Sequence, residues 1–361
     1  MKKNFTSILL ALICLAALPL AVQSQGVITT PRTPSPAATV IQTIGISTVS
    51  VKYSRPSVKG RVVWGQLVPY GWTKAPGGDQ PWRAGANENT VVEFSHDAMV
   101  EGKKVPAGKY GFFLIINEDN SGEVILSKDY RSWGAFTYNA AADAMRAPIK
   151  VRNMDQSTET LTYDFINATK NTSELVLNWE KKQFPVKIEF DVDGIVMANA
   201  AQELRSTVGF SAQGFNSAAA YAAANKVNLE QAAKWSAQAE NINRNFNTLM
   251  TKAAVLRASN QTAEADKAVK DALPLGNENE LNQYGYTLLN NGQTDQAIEV
   301  FTINTTKFPG SANTFDSLGE AFVTKGDTKN AIKNFKKCLS LNPNANTKAN
   351  SEKFLKQLGA M

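Results

Sequence analysis

The chain has 361 residues and a formal net charge of +6 at neutral pH, which is long enough for two domains with hydrophobic cores. Its small positive excess is spread along the sequence, so composition gives no electrostatic basis for binding nucleic acid. Two cysteines, Cys14 and Cys338, and a single histidine, His96, exclude a disulfide framework and a histidine-rich metal centre.

The N-terminus has the pattern of a targeting segment. Lys2 and Lys3 precede an apolar run over Ile8–Val22, which is too short for a spanning helix. Small residues place the cleavage site after Ser24, so we expect a signal peptide over 1–24 and a periplasmic or secreted mature chain. A retained membrane anchor is the alternative. The later sequence contains no apolar run of spanning length, so we expect no transmembrane segment in the mature chain.

Residues 25–38 contain three prolines and predict an extended linker. From 39 to 193 apolar residues alternate with polar ones, and helical periodicity is suggested only at Ala140–Arg146. The pattern predicts an all-β antiparallel sandwich or open barrel of roughly eight to ten strands. Strands are expected at Ile44–Tyr53, Arg61–Trp64, Thr90–Ser95, Lys109–Asn117, Glu123–Ser127, Leu161–Phe165, Leu175–Trp179 and Val186–Val192.

Residues 194–361 change in composition and contain a repeat with a spacing of 34 residues. The matching pairs are Gly285 and Gly319, Ala297 and Ala331, Phe301 and Phe335, and Pro309 and Pro343. This pattern resembles the tetratricopeptide repeat, in which small residues let two antiparallel helices approach. Weaker copies precede it, so we expect an all-α helical-repeat solenoid. It should hold four repeats over about 213 to 345 and a capping helix over Thr347–Leu358.

The stretch from Tyr53 to His96 concentrates tryptophan, arginine and turn-forming glycine. A turn at Gly85–Asn87 is expected to fold Arg83 back towards Glu88. Aromatic faces could then stack on a sugar or peptide side chain while arginine holds a carboxylate or phosphate. The candidate ligand-binding residues are Arg55, Arg61, Trp64, Trp82, Arg83, Asn87, Glu88 and His96.

The same residue types also serve in buried networks that lock loops together, which is the structural alternative for this stretch. An enzymatic alternative is an envelope hydrolase or isomerase with Glu88 and His96 as acid and base and Arg83 as electrostatic stabiliser. No nucleophile, zinc or phosphate-binding motif accompanies them, so the sequence predicts no catalytic residue, metal or cofactor.

The β-domain resembles an exported family known as domain of unknown function 2911. The resemblance rests on Tyr53-Ser-Arg-Pro56, Trp82-Arg-Ala-Gly-Ala-Asn-Glu88, Pro106-Ala-Gly-Lys-Tyr110 and Trp133-Gly134. It covers roughly residues 34–192, and the appended repeats look like the longer members of that family. It implies a β fold and an envelope location and carries no established activity.

The first helices of the last two repeats are expected to line a concave face with polar side chains. Those groove candidates are Asn279, Asn282, Tyr286, Asn313, Asp316 and Glu320. The sequence therefore predicts an exported, non-enzymatic binding or scaffold protein. Its repeats would bind a protein partner, and its β-domain would bind an envelope glycan or peptide.

Overall fold

The computed structural model describes residues 34–361, which divide into two compact units after Phe190. The predicted signal peptide, 1–24, and most of the predicted linker, 25–38, lie outside the described residues. Within the described part, the first strand begins at Ala37.

Within residues 34–190, ten strands form two antiparallel sheets. The six-stranded sheet has the order β1-β2-β3-β6-β7-β8, and the four-stranded sheet has the order β5-β4-β10-β9. The strands are β1 (Ala37–Ile44), β2 (Ser47–Ser54), β3 (Thr90–Phe94), β4 (Ala98–Val100), β5 (Lys103–Val105), β6 (Gly108–Ile116), β7 (Ser121–Ser127), β8 (Asp143–Lys150), β9 (Arg152–Ile166) and β10 (Thr172–Glu189).

The core of this unit lies between the two sheets. Alternate residues of β2, such as Val49 and Val51, are buried, as expected for a strand with one covered face. Rings from the two sheets meet edge to face, with Phe112 and Tyr163 centroids 5.9 Å apart. β6 is buried from Tyr110 to Ile116 because a second cluster with Trp72 covers its outer face.

The predicted strand Ile44–Tyr53 is interrupted, because Gly45 and Ile46 form the turn between β1 and β2. Three further local predictions are wrong. Arg61–Trp64 forms turns and an isolated bridge instead of a strand, because the flanking glycines Gly60 and Gly65 adopt positive φ. Ala140–Arg146 is a short 3-10 turn running into β8.

The third error concerns the end of the β-unit. Leu175–Trp179 and Val186–Ile188 belong to one long strand, β10, whose register shifts near Glu180. The apparent polar turn between them is that irregularity, in which Glu180 adopts a φ of 52°.

Within residues 191–361, ten α-helices follow one another with short connections. They are α1 (Val192–Glu203), α2 (Ala212–Asn225), α3 (Leu229–Ile242), α4 (Phe246–Ala258), α5 (Thr262–Ala272), α6 (Glu278–Asn290), α7 (Thr294–Lys307), α8 (Ala312–Lys325), α9 (Thr328–Ser340) and α10 (Ala345–Gln357). Helices α2 to α9 pair in sequence order as four antiparallel hairpins, and α10 packs on the last pair.

The predicted fold class, a β-sandwich followed by helical repeats, is therefore confirmed. The repeat glycines explain the close approach of paired helices. A Cβ at Gly285 would lie 2.5 Å from the Phe301 ring, and one at Gly319 would lie 2.7 Å from the Phe335 ring. No helix within residues 34–361 has the length and apolar composition needed to cross a lipid bilayer.

Candidate functional site

The segment before β3 leaves the six-stranded sheet and returns to it. Trp82 exchanges two backbone hydrogen bonds with Leu114 of β6, at 3.0 and 2.9 Å. Thr90, which starts β3, pairs with Phe112 of the same strand. Residues 83–89 therefore form an excursion between two anchored points at the end of the sheet.

Backbone conformation determines the shape of this excursion. Ala84 and Asn87 adopt positive φ values of 52° and 59°. Between them, a Cβ on Gly85 would lie 2.8 Å from the Thr90 hydroxyl and 3.2 Å from the Ser54 carbonyl oxygen. Glycine is required there because the turn lies directly on β2 and β3.

Four aromatic side chains anchor the floor of the site. Trp82 stacks on Trp179 with centroids 5.8 Å apart and an interplanar angle of 18°. Trp64 meets Trp82 edge to face at 5.7 Å, and Phe184 lies 5.3 Å from Trp64. Trp64 also donates a 3.1 Å hydrogen bond from Nε1 to Glu180. Trp179 and Phe184 are fully buried, so Trp82 is a rigid, half-buried platform.

Arg83 is held in place from two sides. Its Nη1 donates a 2.7 Å hydrogen bond to the carbonyl of Asn87, which closes the excursion. Its Cζ lies 5.2 Å from the Phe136 ring centroid, and a Cβ on Gly134 would lie only 2.5 Å from that atom. Burial lowers the pKa of Arg83, yet a guanidinium remains charged in proteins.

A pocket of about 490 Å³ opens beside these residues. Its lining includes Lys59, Arg61 and Arg83 and no aspartate or glutamate, while Trp82 supplies an aromatic wall. We call it the basic pocket, defined by Lys59, Arg61, Trp82, Arg83 and Asn87. Three cations around one cavity create a positive potential that favours a negatively charged ligand.

The pocket unites four of the eight residues predicted from the sequence, namely Arg61, Trp82, Arg83 and Asn87. Lys59 was missed, although the turn signal of Gly60 stands between it and Arg61. Arg61 is oriented by its own turn, since its Nε donates a 3.0 Å bond to the Val58 carbonyl.

The other four predicted residues lie elsewhere. Arg55 donates to the Leu161 carbonyl and the Thr162 hydroxyl, so it fastens β2 to β9. Trp64 belongs to the aromatic floor. Glu88 is exposed and is not part of the pocket lining.

His96 follows the far end of β3 from Arg83, and its Nδ1 lies 3.0 Å from the Ser95 hydroxyl. β3 alone separates the two ends by about 13 Å at a strand rise near 3.3 Å per residue. The structure therefore does not bring Glu88 and His96 together as an acid and base.

The six groove candidates in the helical repeats fall into two groups, of which the first four residues lie at least partly exposed on their helices. Asn279 is exposed, and Asn282 and Asn313 are partly buried. Tyr286 donates a 3.1 Å hydrogen bond to the Ser317 hydroxyl. These four lie on the first helices of the third and fourth pairs.

Asp316 is buried instead of lining a groove, because α10 covers it. Its carboxylate accepts hydrogen bonds from Ser351 at 2.5 Å and Asn350 at 2.8 Å. Asn350 also donates to Glu320 at 2.5 Å. Burial raises the pKa of both carboxyls. The sequence pattern placed these positions on a concave face but gave no indication that a capping helix would cover them.

A cavity of about 590 Å³ lies between α2 and α4, in the first two pairs. Its lining is uncharged, with amides from Gln213, Asn216 and Asn247. The sequence analysis placed the groove two repeats later. The missed signal was the row of small and amide side chains on α2 and α4, including Ala220 and Ala254, which line this cavity.

Within residues 34–361, no group of three or more histidine, cysteine or acidic side chains could hold a metal ion. Cys338 is fully buried between helices, and burial raises the pKa of its thiol.

Comparisons with known proteins agree with this architecture. Residues 35–188 match the family described as "Protein of unknown function (DUF2911)", and residues 312–345 match the tetratricopeptide repeat. Both resemblances read from the sequence are thereby confirmed. No curated protein matches the chain.

Several solved structures resemble the chain at low identity. YrrB, titled a TPR protein with an unusual peptide-binding site, is 20% identical over 45% of this chain and 84% of its own, with a TM-score of 0.28. PilF of Pseudomonas aeruginosa is 20% identical over 42% and 71%, also with a TM-score of 0.28. The C-terminal part of a TPR repeat-containing protein from Cytophaga hutchinsonii is 17% identical over 47% and 74%, with a TM-score of 0.29.

The chain thus joins a β-domain that matches the DUF2911 family model to repeats of the tetratricopeptide type. Stacked helical repeats of this type form extended surfaces that bind other proteins. The repeats support a role as a protein-interaction scaffold.

Proposed function

We propose that this chain is an exported, non-enzymatic binding protein with two recognition elements. The basic pocket of the β-domain binds an anionic ligand, and the helical repeats bind a protein partner. The observation that carries the proposal is the pocket lining, in which Lys59, Arg61 and Arg83 surround a cavity without an acidic side chain. Export rests on the signal-peptide pattern of residues 1–24.

Pre-organisation supports binding at this site. The Asn87 carbonyl and the Phe136 ring fix the guanidinium of Arg83, so little side-chain entropy remains to be lost when an anion arrives. The guanidinium carries five N–H donors in a planar fork that matches a carboxylate or phosphate. A purely structural network would pair its buried cations with carboxylates. No carboxylate lines this pocket to neutralise the three cations, so the lining favours a binding role.

The geometry favours binding over acid–base catalysis. A general acid or base must come within hydrogen-bond reach of the atom it serves. His96 lies past the far end of β3, and Glu88 is outside the pocket lining. The pocket lining therefore offers positive charge and an aromatic surface but no histidine, aspartate or glutamate that could act as acid or base.

The test is a titration of the purified protein with small anions, followed through tryptophan fluorescence because Trp82 lines the pocket. Phosphate, sulfate, glucuronate and a sugar phosphate are compared at low and high salt. Saturable binding that weakens with salt and with Arg83→Met is expected. Arg152→Met is the matched control, since Arg152 pairs with Glu174 outside the basic pocket. Failure of every anion to bind, or equal weakening by the two variants, would contradict the proposal.

A further inference from the structure

We propose that the ligand of the basic pocket is a phosphorylated sugar, with its phosphate on Arg61, Arg83 and Lys59 and its ring on Trp82. This inference rests on the proposed function and specifies the ligand that the pocket selects. It draws on three observations: the number of cations, the volume of the cavity and the chemistry of its walls.

The charge of the pocket points to a dianion. A carboxylate carries one charge, which a single arginine fork can satisfy. The pocket offers two guanidinium groups and one ammonium group without an acidic lining residue. A phosphate monoester carries about −1.5 to −2 charges at pH 7 and three strong acceptor oxygens. It can therefore engage all three cations at once.

The turn at 83–87 forms one side of the pocket. Gly85, Ala86 and Asn87 line the cavity, and Ala84 and Asn87 have left-handed φ values. Successive amides in turns that combine right-handed and left-handed residues form concave anion-binding sites. The phosphate oxygens that the side chains leave unbound would lie against this turn.

The volume of the cavity requires more than a bare anion. A space of about 490 Å³ equals roughly sixteen water molecules at about 30 Å³ each, far more than one phosphate displaces. The remaining walls are Trp82, Leu67, Val68 and two prolines. Leu67 is 43% exposed, so a ring in the cavity would cover apolar surface.

A sugar ring fits these walls because it has both apolar C–H faces and hydroxyl groups. Trp82 is fixed by stacking on Trp179, so it presents a preformed flat surface. The lining also includes neutral polar residues, namely Ser35, Ser57 and Asn87. Hydroxyl groups around the ring could form hydrogen bonds with these residues.

The experiment compares four probes on the purified protein by fluorescence titration: N-acetylglucosamine 6-phosphate, N-acetylglucosamine, inorganic phosphate and glucuronate. The sugar phosphate is expected to bind at least about tenfold more tightly than each of the other three. Inorganic phosphate binding as tightly would show that the ring makes no contact and would overturn the inference. Glucuronate binding as tightly would overturn it in favour of a carboxylate while leaving an anion-binding function intact. No binding by any anion would overturn both.

Variants separate the two halves of the ligand. Arg61→Met should weaken the sugar phosphate and inorganic phosphate together, by about tenfold. Leu67→Ala should reduce the preference for the sugar phosphate over phosphate without changing phosphate affinity. Leu67 is chosen because Trp82 packs into the aromatic floor, where replacement would disturb folding. An unchanged preference in Leu67→Ala would contradict the placement of the ring.

Discussion

Gly134 offers a way to move Arg83 without replacing it. Gly134 has a φ of +65°, and a Cβ there would lie 2.5 Å from Cζ of Arg83. Gly134→Ala therefore imposes backbone strain of about 1–2 kcal/mol and displaces the guanidinium of Arg83 from its position. In a protein of this size that strain lowers Tm by roughly 2–8 °C. Affinity for an anion should fall by about tenfold, since a charge-assisted hydrogen bond is displaced.

Gly71 provides the matched control. It has a similar φ of +72°, and a Cβ there would meet nothing within 4 Å. Gly71→Ala should lower Tm by a similar amount and leave anion affinity unchanged. Scanning calorimetry gives the first quantity and fluorescence titration the second. Equal anion affinity in the two variants would refute the assignment of Arg83 to the pocket.

Three further predictions concern the repeats. Gly285→Ala should destabilise them by up to about 2 kcal/mol, because overpacking against Phe301 exceeds the helix-propensity gain. In urea unfolding, the double variant Gly285→Ala/Phe301→Leu should lose less stability than the sum of the losses of the two single variants. Additive losses would contradict the contact between these residues. In a Cys14→Ser background, Cys338 should react with a thiol reagent only on unfolding, and rapid reaction of the folded protein would argue against its burial. Burial raises the pKa of Asp316 and Glu320, so the folded state binds protons more tightly than the unfolded state. These carboxyls should therefore stabilise the repeats as pH falls from 7 towards 5. Circular dichroism melts should show a smaller rise in stability on acidification for Glu320→Gln than for the wild type. An equal rise in the two proteins would contradict the predicted direction of the pH dependence.

The architecture could be predicted because its signals are local. The repeat spacing that relates Gly285 to Gly319 reflects a helix–helix contact that recurs in the last two pairs. The alternation along β2 records one buried face. The ends of the strands were harder to predict from the sequence. Glu180 interrupts the alternating pattern of β10 without ending the strand, because a bulge preserves the pairing on both sides.

The candidate site was only half predictable. Arg83 and Asn87 are close in sequence, and the turn between them brings them together. Their relation to Lys59 depends on how two separate loops meet above the sheet, which no local pattern encodes. The prediction that Asp316 lines a groove was wrong for the same reason, since its hydrogen-bond partners Asn350 and Ser351 come from a helix more than thirty residues later.

The central claim is that the three cations of the basic pocket bind an anion. Its most direct measurement is isothermal titration of N-acetylglucosamine 6-phosphate into the wild-type protein, the Lys59→Met/Arg61→Met/Arg83→Met variant and the Arg152→Met control. We expect saturable heat for the wild type and the control and none for the triple variant, with all three folded by circular dichroism. Retained affinity in the folded triple variant would contradict it.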